Sequence, residues 1–425
     1  MKPPRPSPSR RPPAAPRAGA LLPRSSRGLL LLALLPALGA SLRSQEPESR
    51  PARRAPENPR TTSEPASRPG RGKPEITAER LGEAIERALL WLARHQRDDG
   101  RWAAAGFLEL CPKGRSCGGP GNPMNDVGVT GLACLALLGN GTTLRYGTHK
   151  DSLRRAVDWL RKQQGEDGLL GAASGATYLY SHTIATTALS RAYWKSRYRP
   201  LKAACRRAVR FIEDARNPKR VWRYFPRSGE NDSSMTAWMT TALLEAKSSR
   251  LEVDPKALEA AASWFRSVTD PRTGRVGYTK LGEVSSRDPA RQRLFPASST
   301  EALTAAGAFC RIALGGDPKK EADLETGLRT VRALEPAWDP KGGGLDFYYW
   351  YFGMRLVRLP EVRMRNWRRA LCRTLLEAQR EDGHAEGSFD PAGAWGDQGG
   401  RIYATALALL CFGMARDDLE EDENR

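Results

Sequence analysis

Six times along this chain of 425 residues, a helix with one apolar face is followed by a helix that is apolar on nearly every side. The first kind has a wet face and a dry face, whereas the second has almost no wet face and must be buried. The spacing of apolar residues predicts the amphipathic helices over 77–92, 153–164, 201–216, 255–268, 320–334 and 362–379. It predicts their apolar partners over 127–138, 182–193, 234–246, 300–314, 346–356 and 402–414. No strand-like alternation of any length interrupts them. An open solenoid would expose the apolar inner helices along a groove. Two concentric rings satisfy both kinds of helix. The expected fold is therefore all-α, a closed α/α toroid of about six helix pairs with an inner and an outer ring.

The outer helices share an ending. The first closes as Trp91-Leu92-Ala93-Arg94-His95-Gln96-Arg97-Asp98-Asp99-Gly100-Arg101-Trp102. The Leu, Gln and Gly recur at Leu160, Gln164 and Gly168, and again at Leu375, Gln379 and Gly383. Glycine supplies a positive φ at a helix end, and a Gln amide can bond backbone groups left without partners there. Trp91 and Trp102 read as structural, and His95 and His149 as side chains of wet turns. At the chain's first outer helix, Thr77 stands where an N-cap is expected.

Charge separates the chain into unlike parts. The net charge is +20, but residues 1–74 carry 15 Lys and Arg against 4 Asp and Glu, with 16 of the 31 prolines. Such a segment buries too little apolar surface to offset its ordering entropy. Without that leader the chain is only mildly basic, and it shows no groove-reading motif or aromatic-basic platform, so no nucleic-acid partner is expected. Residues 28–40 form an apolar run behind Arg24 and Arg27 that ends in small residues, the pattern of a secretory signal. The expected layout is 1–40 as signal peptide or short anchor with a basic leader, 41–74 as linker, 75–416 as toroid and 417–425 as a solvated acidic tail. The product is then exported, to the periplasm or beyond, or held at a membrane by an uncleaved N-terminal segment.

Of the seven cysteines, Cys134, Cys205, Cys310, Cys372 and Cys411 fall on apolar helical positions and read as small buried hydrophobes. Cys111 and Cys117 lie close together in Cys-Pro-Lys-Gly-Arg-Ser-Cys. In an oxidising compartment they are candidates for a loop disulfide. Two thiols make no metal site without two further ligands nearby, so no metal is expected.

The spacing from Trp91 through Gln96 and Gly100 to Trp102 resembles the repeat of the terpenoid cyclases. Residues 76–416 resemble the α/α toroid that those enzymes share with protein prenyltransferase β subunits. Four further stretches resemble prenyltransferase/squalene-oxidase-repeat proteins common in planctomycete bacteria. They begin at Tyr180-Ser181-His182, Leu345-Asp346-Phe347, Gly387-Ser388-Phe389 and Gly399-Gly400-Arg401. The resemblance implies a toroid and leaves the chemistry open. The cyclases' Asp-x-Asp-Asp acid motif, the prenyltransferases' zinc ligands and the Gly-Cys-Gly-Glu-Gln thioester of related toroids are all missing. Asp346-Phe347-Tyr348 stands where a zinc-binding Asp and Cys would, but lacks the Cys.

Inner helices aim one end at the mouth of a toroid. Aligning them on Thr130, Thr186, Thr240, Thr304, Tyr351 and Thr405 places Asp126, His182, Thr236, Thr300, Phe347 and Arg401 one turn earlier. Asp126, His182 and Asp346 are the candidate catalytic groups. Asp232, Glu301, Tyr348, Tyr349, Trp350, Arg401 and Tyr403 are the candidate ligand-binding groups. An acid, an imidazole, an arginine and several aromatics converging on an apolar hollow have the composition of a ligand site. Each has a plainer role as well. Asp126, Asp232 and Asp346 suit helix N-caps, His182 a core hydrogen bond, Arg401 an ion pair with Asp346 or Asp390, and half of 348–351 core packing. Three functions follow, with no cofactor in any of them. The first is an exported scaffold or binding protein for a lipid, glycan or peptide. The second is a terpenoid-cyclase-like isomerase or lyase acting on an isoprenoid lipid. The third is a glycan-active α/α barrel, which needs two carboxylates about 5–10 Å apart.

Overall fold

The computed structural model describes residues 75–423, and the leader and linker expected over 1–74 lie outside them. The outer helices are α1 (Ala78–Arg94), α3 (Lys150–Lys162), α5 (Arg199–Ala215), α7 (Pro255–Val268), α10 (Ala322–Ala333) and α12 (Arg365–Ala378). The inner helices are α2 (Asp126–Gly139), α4 (Tyr178–Ser196), α6 (Ser233–Ser248), α9 (Ala302–Ala313), α11 (Phe347–Val357) and α13 (Gly396–Glu423). A short α8 (Pro289–Leu294) lies in the loop before α9. Among the described residues only two isolated β-bridges occur, and no helix is long and apolar enough to cross a membrane.

The inner helices pack in the order α2, α4, α6, α9, α11, α13, and α13 packs back on α2. The ring is closed, and the expected α/α toroid of six pairs is what the chain forms. Most outer helices lie behind a groove between two inner ones: α3 touches α2 and α4, and α5 touches α4 and α6. The inner helices carry almost no exposed residue, as their composition requires; α2 is buried from Val127 to Leu138. Thr77 caps α1, accepting from the Arg80 amide at 3.2 Å.

The recurring Gln ties three of the outer helices, α1, α3 and α12, each to the next around the ring. Gln96 Nε2 donates to Gly100 O in its own turn (2.7 Å) and to Ser152 O in α3 (2.8 Å), while its Oε1 accepts from Arg155 (2.5 Å). Gln164 does the same with Gly168 O, Ala204 O in α5 and Arg207. Gln379 closes the circle, donating to Ala84 O in α1 (2.8 Å) and accepting from Arg87 (2.9 Å). Its turn carbonyl is that of Gly387, however, not the expected Gly383. Gly100, Gly168 and Gly387 have φ of +98°, +94° and +86°, and a Cβ on each would sit 2.3–2.4 Å from the carbonyl oxygen of Arg155, Arg207 or Arg87. Gly383 meets nothing within 4 Å. Four extra residues in the last turn displaced the glycine from its usual spacing. Trp102 then folds back, its indole donating to Leu92 O at 2.8 Å, and Trp222 repeats the bond to Ile212 O at 2.8 Å.

The seam between the first and last pairs departs from expectation. His95 is fully buried rather than wet, stacked on Trp91 with ring centroids 4.2 Å apart. Cys111 and Cys117 are free thiols, not a disulfide. Both face His95, as does His384 from the last turn. The remaining five cysteines are buried as expected. Residues 417–423 continue α13 instead of trailing as a tail. Asp418 pairs there with Arg358 (3.1 Å) and Arg368 (3.0 Å), which gives the acidic end a docking place.

Candidate functional site

The inner-helix N-termini and the loops before them surround a mostly apolar cavity of about 650 Å³. Val129 and Leu132 of α2, Ile184 of α4, Trp238 of α6 and Leu303 of α9 form its walls. Tyr180, Tyr348 and Tyr403 enter from three helices, and Tyr224 and Tyr278 from two loops. Trp238 stacks on Tyr351 at 5.6 Å and meets Phe352 edge-on at 5.3 Å, so its indole is held rigid. Ser234 Oγ joins Tyr180 (3.0 Å) and Tyr348 (3.3 Å) across two helix gaps.

Four carboxylates border this cavity, and each is already engaged. Asp346 caps α11, its Oδ1 accepting from the amides of Tyr348 (3.0 Å) and Tyr349 (3.3 Å). Its Oδ2 lies 3.3 Å from Arg287, and the two side chains are 1 % and 2 % exposed. Burial pushes the Asp346 carboxyl up from its ordinary range, with Arg287 and the cap amides opposing. Glu301 takes Arg275 on Oε1 at 2.7 Å and the Thr304 hydroxyl on Oε2 at 2.8 Å. Asp270 accepts two turn amides, those of Arg272 (2.8 Å) and Thr273 (3.1 Å). Glu283 accepts from the amide and hydroxyl of Thr279.

Of the expected site residues, Asp346, Glu301, Tyr348 and Tyr403 do meet in this cavity. Asp126, His182, Asp232, Tyr349, Trp350 and Arg401 are not among the residues that line it. The α2 cap position falls to Asn125; Asp126 is the first helical residue and accepts from the Ala104 amide at 2.8 Å, fastening the preceding loop. Tyr349 turns outward and donates to Leu334 O at 2.7 Å. Trp350 packs against Phe347 and Trp338. Arg401 pairs with Asp390 at 2.6 Å and bonds Ser388 and Gly118, a seam contact.

His182 has a structural explanation that corrects the inner-helix alignment. In three repeats the residue two places after the clasp or turn glycine donates its amide to an inner-helix threonine: Trp102 to Thr130, Val276 to Thr304, Phe389 to Thr405. In the second repeat that amide is Leu170, and it donates to His182 Nδ1 at 3.0 Å. His182 therefore stands where Thr130 does, one turn away from the position assigned by aligning Thr186. Its Nε2 donates to Ala208 O at 3.2 Å, so both ring nitrogens are consumed. Burial lowers its pKa to about 4, keeping it neutral.

Asp232 caps α6 through the Met235 amide at 2.7 Å, and its other oxygen lies 3.7 Å from Arg223. Burial raises its pKa to about 7. Arg275 and Arg287 reach the cavity from loops and Arg291 from the short α8, and no periodic pattern in the sequence marks any of the three. Trp238, one helical turn from Ser234 on α6, also lines the cavity, and its helical spacing is the signal by which it could be found.

No family model matches the chain, and no curated protein does. Solved structures share its fold. Cellobiose 2-epimerase from Bacillus thermoamylovorans B4167 aligns at a TM-score of 0.54 with 10 % identity, covering 79 % of this chain and 98 % of that one. The GH76A α-1,6-mannanase from Salegentibacter sp. HEL1_6 aligns at 0.53 with 12 % identity over 80 % and 99 %. The type II terpene cyclase MstE from Scytonema aligns at 0.50 with 14 % identity over 81 % and 99 %. At such identities the likeness establishes the α/α toroid and leaves the chemistry to the site itself.

Proposed function

We propose that this toroid is a non-catalytic binding protein for an apolar, lipid-sized molecule, held among Trp238, Tyr180, Tyr348 and Tyr403. One observation carries the reading: the cavity is walled by apolar and aromatic side chains while every carboxylate on its border is engaged. Acids engaged in this way cap helices and fasten loops, as Asp346 caps α11 and Glu301 holds Arg275 and Thr304. A lipid-like ligand fits the exposed apolar side chains there: Val284 lines the cavity, Phe225 and Leu281 adjoin its lining residues Tyr224 and Gly282, and each is more than half exposed. The leader expected over 1–40 would carry the protein out of the cytoplasm or hold it at a membrane, where such a ligand is met. Kinship with the planctomycete repeat proteins fits this reading and belongs to the same proposal.

A terpenoid-cyclase-like isomerase is the second reading, and Asp232 is the observation in its favour. It is a buried acid whose charge is felt by Tyr180, Tyr224 and Tyr278. Yet alkene protonation needs an unusually strong acid, and burial makes Asp232 a weak one at about 7. Binding is therefore the better account. Native mass spectrometry of the purified protein, with farnesol added as a probe, tests it. The expected result is a one-to-one complex that quenches tryptophan fluorescence and returns farnesol unchanged; Trp238→Ala should weaken it about tenfold, the scale of a lost aromatic contact. A converted product that disappears in Asp232→Asn would replace binding by catalysis. No complex with farnesol, and no co-purifying lipid, would remove the lipid reading.

A further inference from the structure

Away from the cavity, four side chains converge at the seam of the ring. His95 ends α1, Cys111 and Cys117 lie on the loop that follows, and His384 comes from the turn after α12. One donor atom from each lies within 4.8 Å of every other. His95 Nε2 is 3.3 Å from His384 Nδ1, 3.4 Å from Cys117 Sγ and 3.8 Å from Cys111 Sγ. His384 Nδ1 is 3.2 Å from Cys117 Sγ. A tetrahedral ion with Zn–N near 2.05 Å and Zn–S near 2.3 Å would separate two nitrogens by about 3.3 Å and a nitrogen and sulfur by about 3.6 Å. The observed spacings fit those edges.

The second observation is the setting of His95. Its Nδ1 donates to Trp91 O at 2.8 Å, which fixes the tautomer and turns the Nε2 lone pair toward the other three donors. Trp91 stacks on the ring and Phe107 meets its edge, so the imidazole cannot swing away. Gly114, at φ +76°, turns the loop between the two cysteines. His95 and Cys117 are buried, whereas Cys111 and His384 are half-buried, leaving an access route for an ion.

We propose that His95, Cys111, Cys117 and His384 form a structural Zn²⁺ site that staples the first helix pair to the last. Four protein ligands fill a tetrahedral shell and leave no open position, the mark of a structural site. Two sulfurs and two imidazoles suit zinc over magnesium or calcium, which prefer oxygen. Binding converts both thiols to thiolates and releases two protons, and the resulting centre is neutral. The chain joins residues 289 positions apart at the place where the ring must close. It also anchors the loop whose Gly118 and Gly119 carbonyls hold Arg401, next to Gly399 on the cavity border. A Cys111–Cys117 disulfide would consume two ligands, so zinc and that bond exclude one another.

The test is metal analysis of the full chain, purified with a mild reductant and no chelator. About one zinc per chain is expected, and Co²⁺ exchanged into it should give the visible spectrum of tetrahedral coordination with thiolate charge transfer. Cys111→Ser and His384→Ala, at the half-buried ligands, should lose most of the metal while keeping the helical circular dichroism. His149→Ala should keep all of it. If either ligand variant fails to fold, the Co²⁺ spectrum of the unaltered protein decides. An octahedral spectrum, zinc retained by the double variant Cys111→Ser/His384→Ala, failure to take up added zinc, or a Cys111–Cys117 disulfide in the intact protein would each overturn the site.

Discussion

The cavity and the seam both gather polar side chains inside an apolar body, and they do so in opposite ways. At the cavity, acids meet their complements: Asp346 has Arg287 and two cap amides, and Glu301 has Arg275 and Thr304. At the seam, four metal-ligating side chains, His95, Cys111, Cys117 and His384, face one another with their donor atoms within 4.8 Å. A buried polar group costs free energy unless it is partnered. The groups at the cavity are satisfied by protein partners, whereas the converging donors at the seam are the basis of the proposed ion site.

The largest expected effect tests the cavity half of this contrast. Arg287→Ala leaves Asp346 buried without its counter-charge and should cost about 3–5 kcal/mol in urea denaturation. Adding Asp346→Asn should return most of it, because the Asn can still cap α11. Zinc content should not change in either variant. If Arg287→Ala is neutral, the pair is not what satisfies the acid.

The seam half is tested by two glycines. Gly387→Ala places a Cβ 2.3 Å from Arg87 O at a positive φ and should cost about 3–4 kcal/mol. Gly383→Ala meets nothing and should cost only about 1 kcal/mol for its backbone conformation. Equal losses would return the clasp to Gly383. Farnesol binding, measured at a concentration of denaturant where both remain folded, should be unaffected.

The smallest effect concerns pH and belongs to neither region. The unfolded chain protonates His182 near 6.5, while the folded chain does so only near 4. The His182 contribution to stability is therefore lost as pH falls through that window, by about 2–3 kcal/mol. Asp232 acts in the other direction: its folded pKa of about 7 exceeds the unfolded 3.8, so its contribution declines as pH rises toward 7. His182→Gln should flatten the acid limb relative to the unaltered protein, and Asp232→Asn should gain relative stability as pH rises from about 4 to 7, with no further gain above it. An unchanged acid limb in His182→Gln would mean that His182 is not the neutral backbone acceptor seen in the second repeat.

The legible part of the site was the part written in helical periodicity. Tyr348 and Tyr403 lie on inner helices and Asp346 and Glu301 just before them, so a pattern of burial placed them near the mouth. His182 was placed one turn off, because an imidazole does in one repeat what a threonine hydroxyl does in three others, and the two share no sequence signature. Arg287 and Arg275 were invisible for a different reason. They come from loops, where position follows from what the loop packs on.

Sequence alone determined the ring: alternating amphipathic and wholly apolar helices can satisfy their faces in few other ways, and that information is local, repeated every few residues. It also determined the Gln clasp, whose spacing survives in two of its three copies. Tertiary structure alone decided which groups meet. His95 and His384 are 289 residues apart, and nothing in either neighbourhood specifies the other. They are brought together because Gln379 and α13 return the last pair to the first, and a side chain's partners across that seam exist only once the circle has closed.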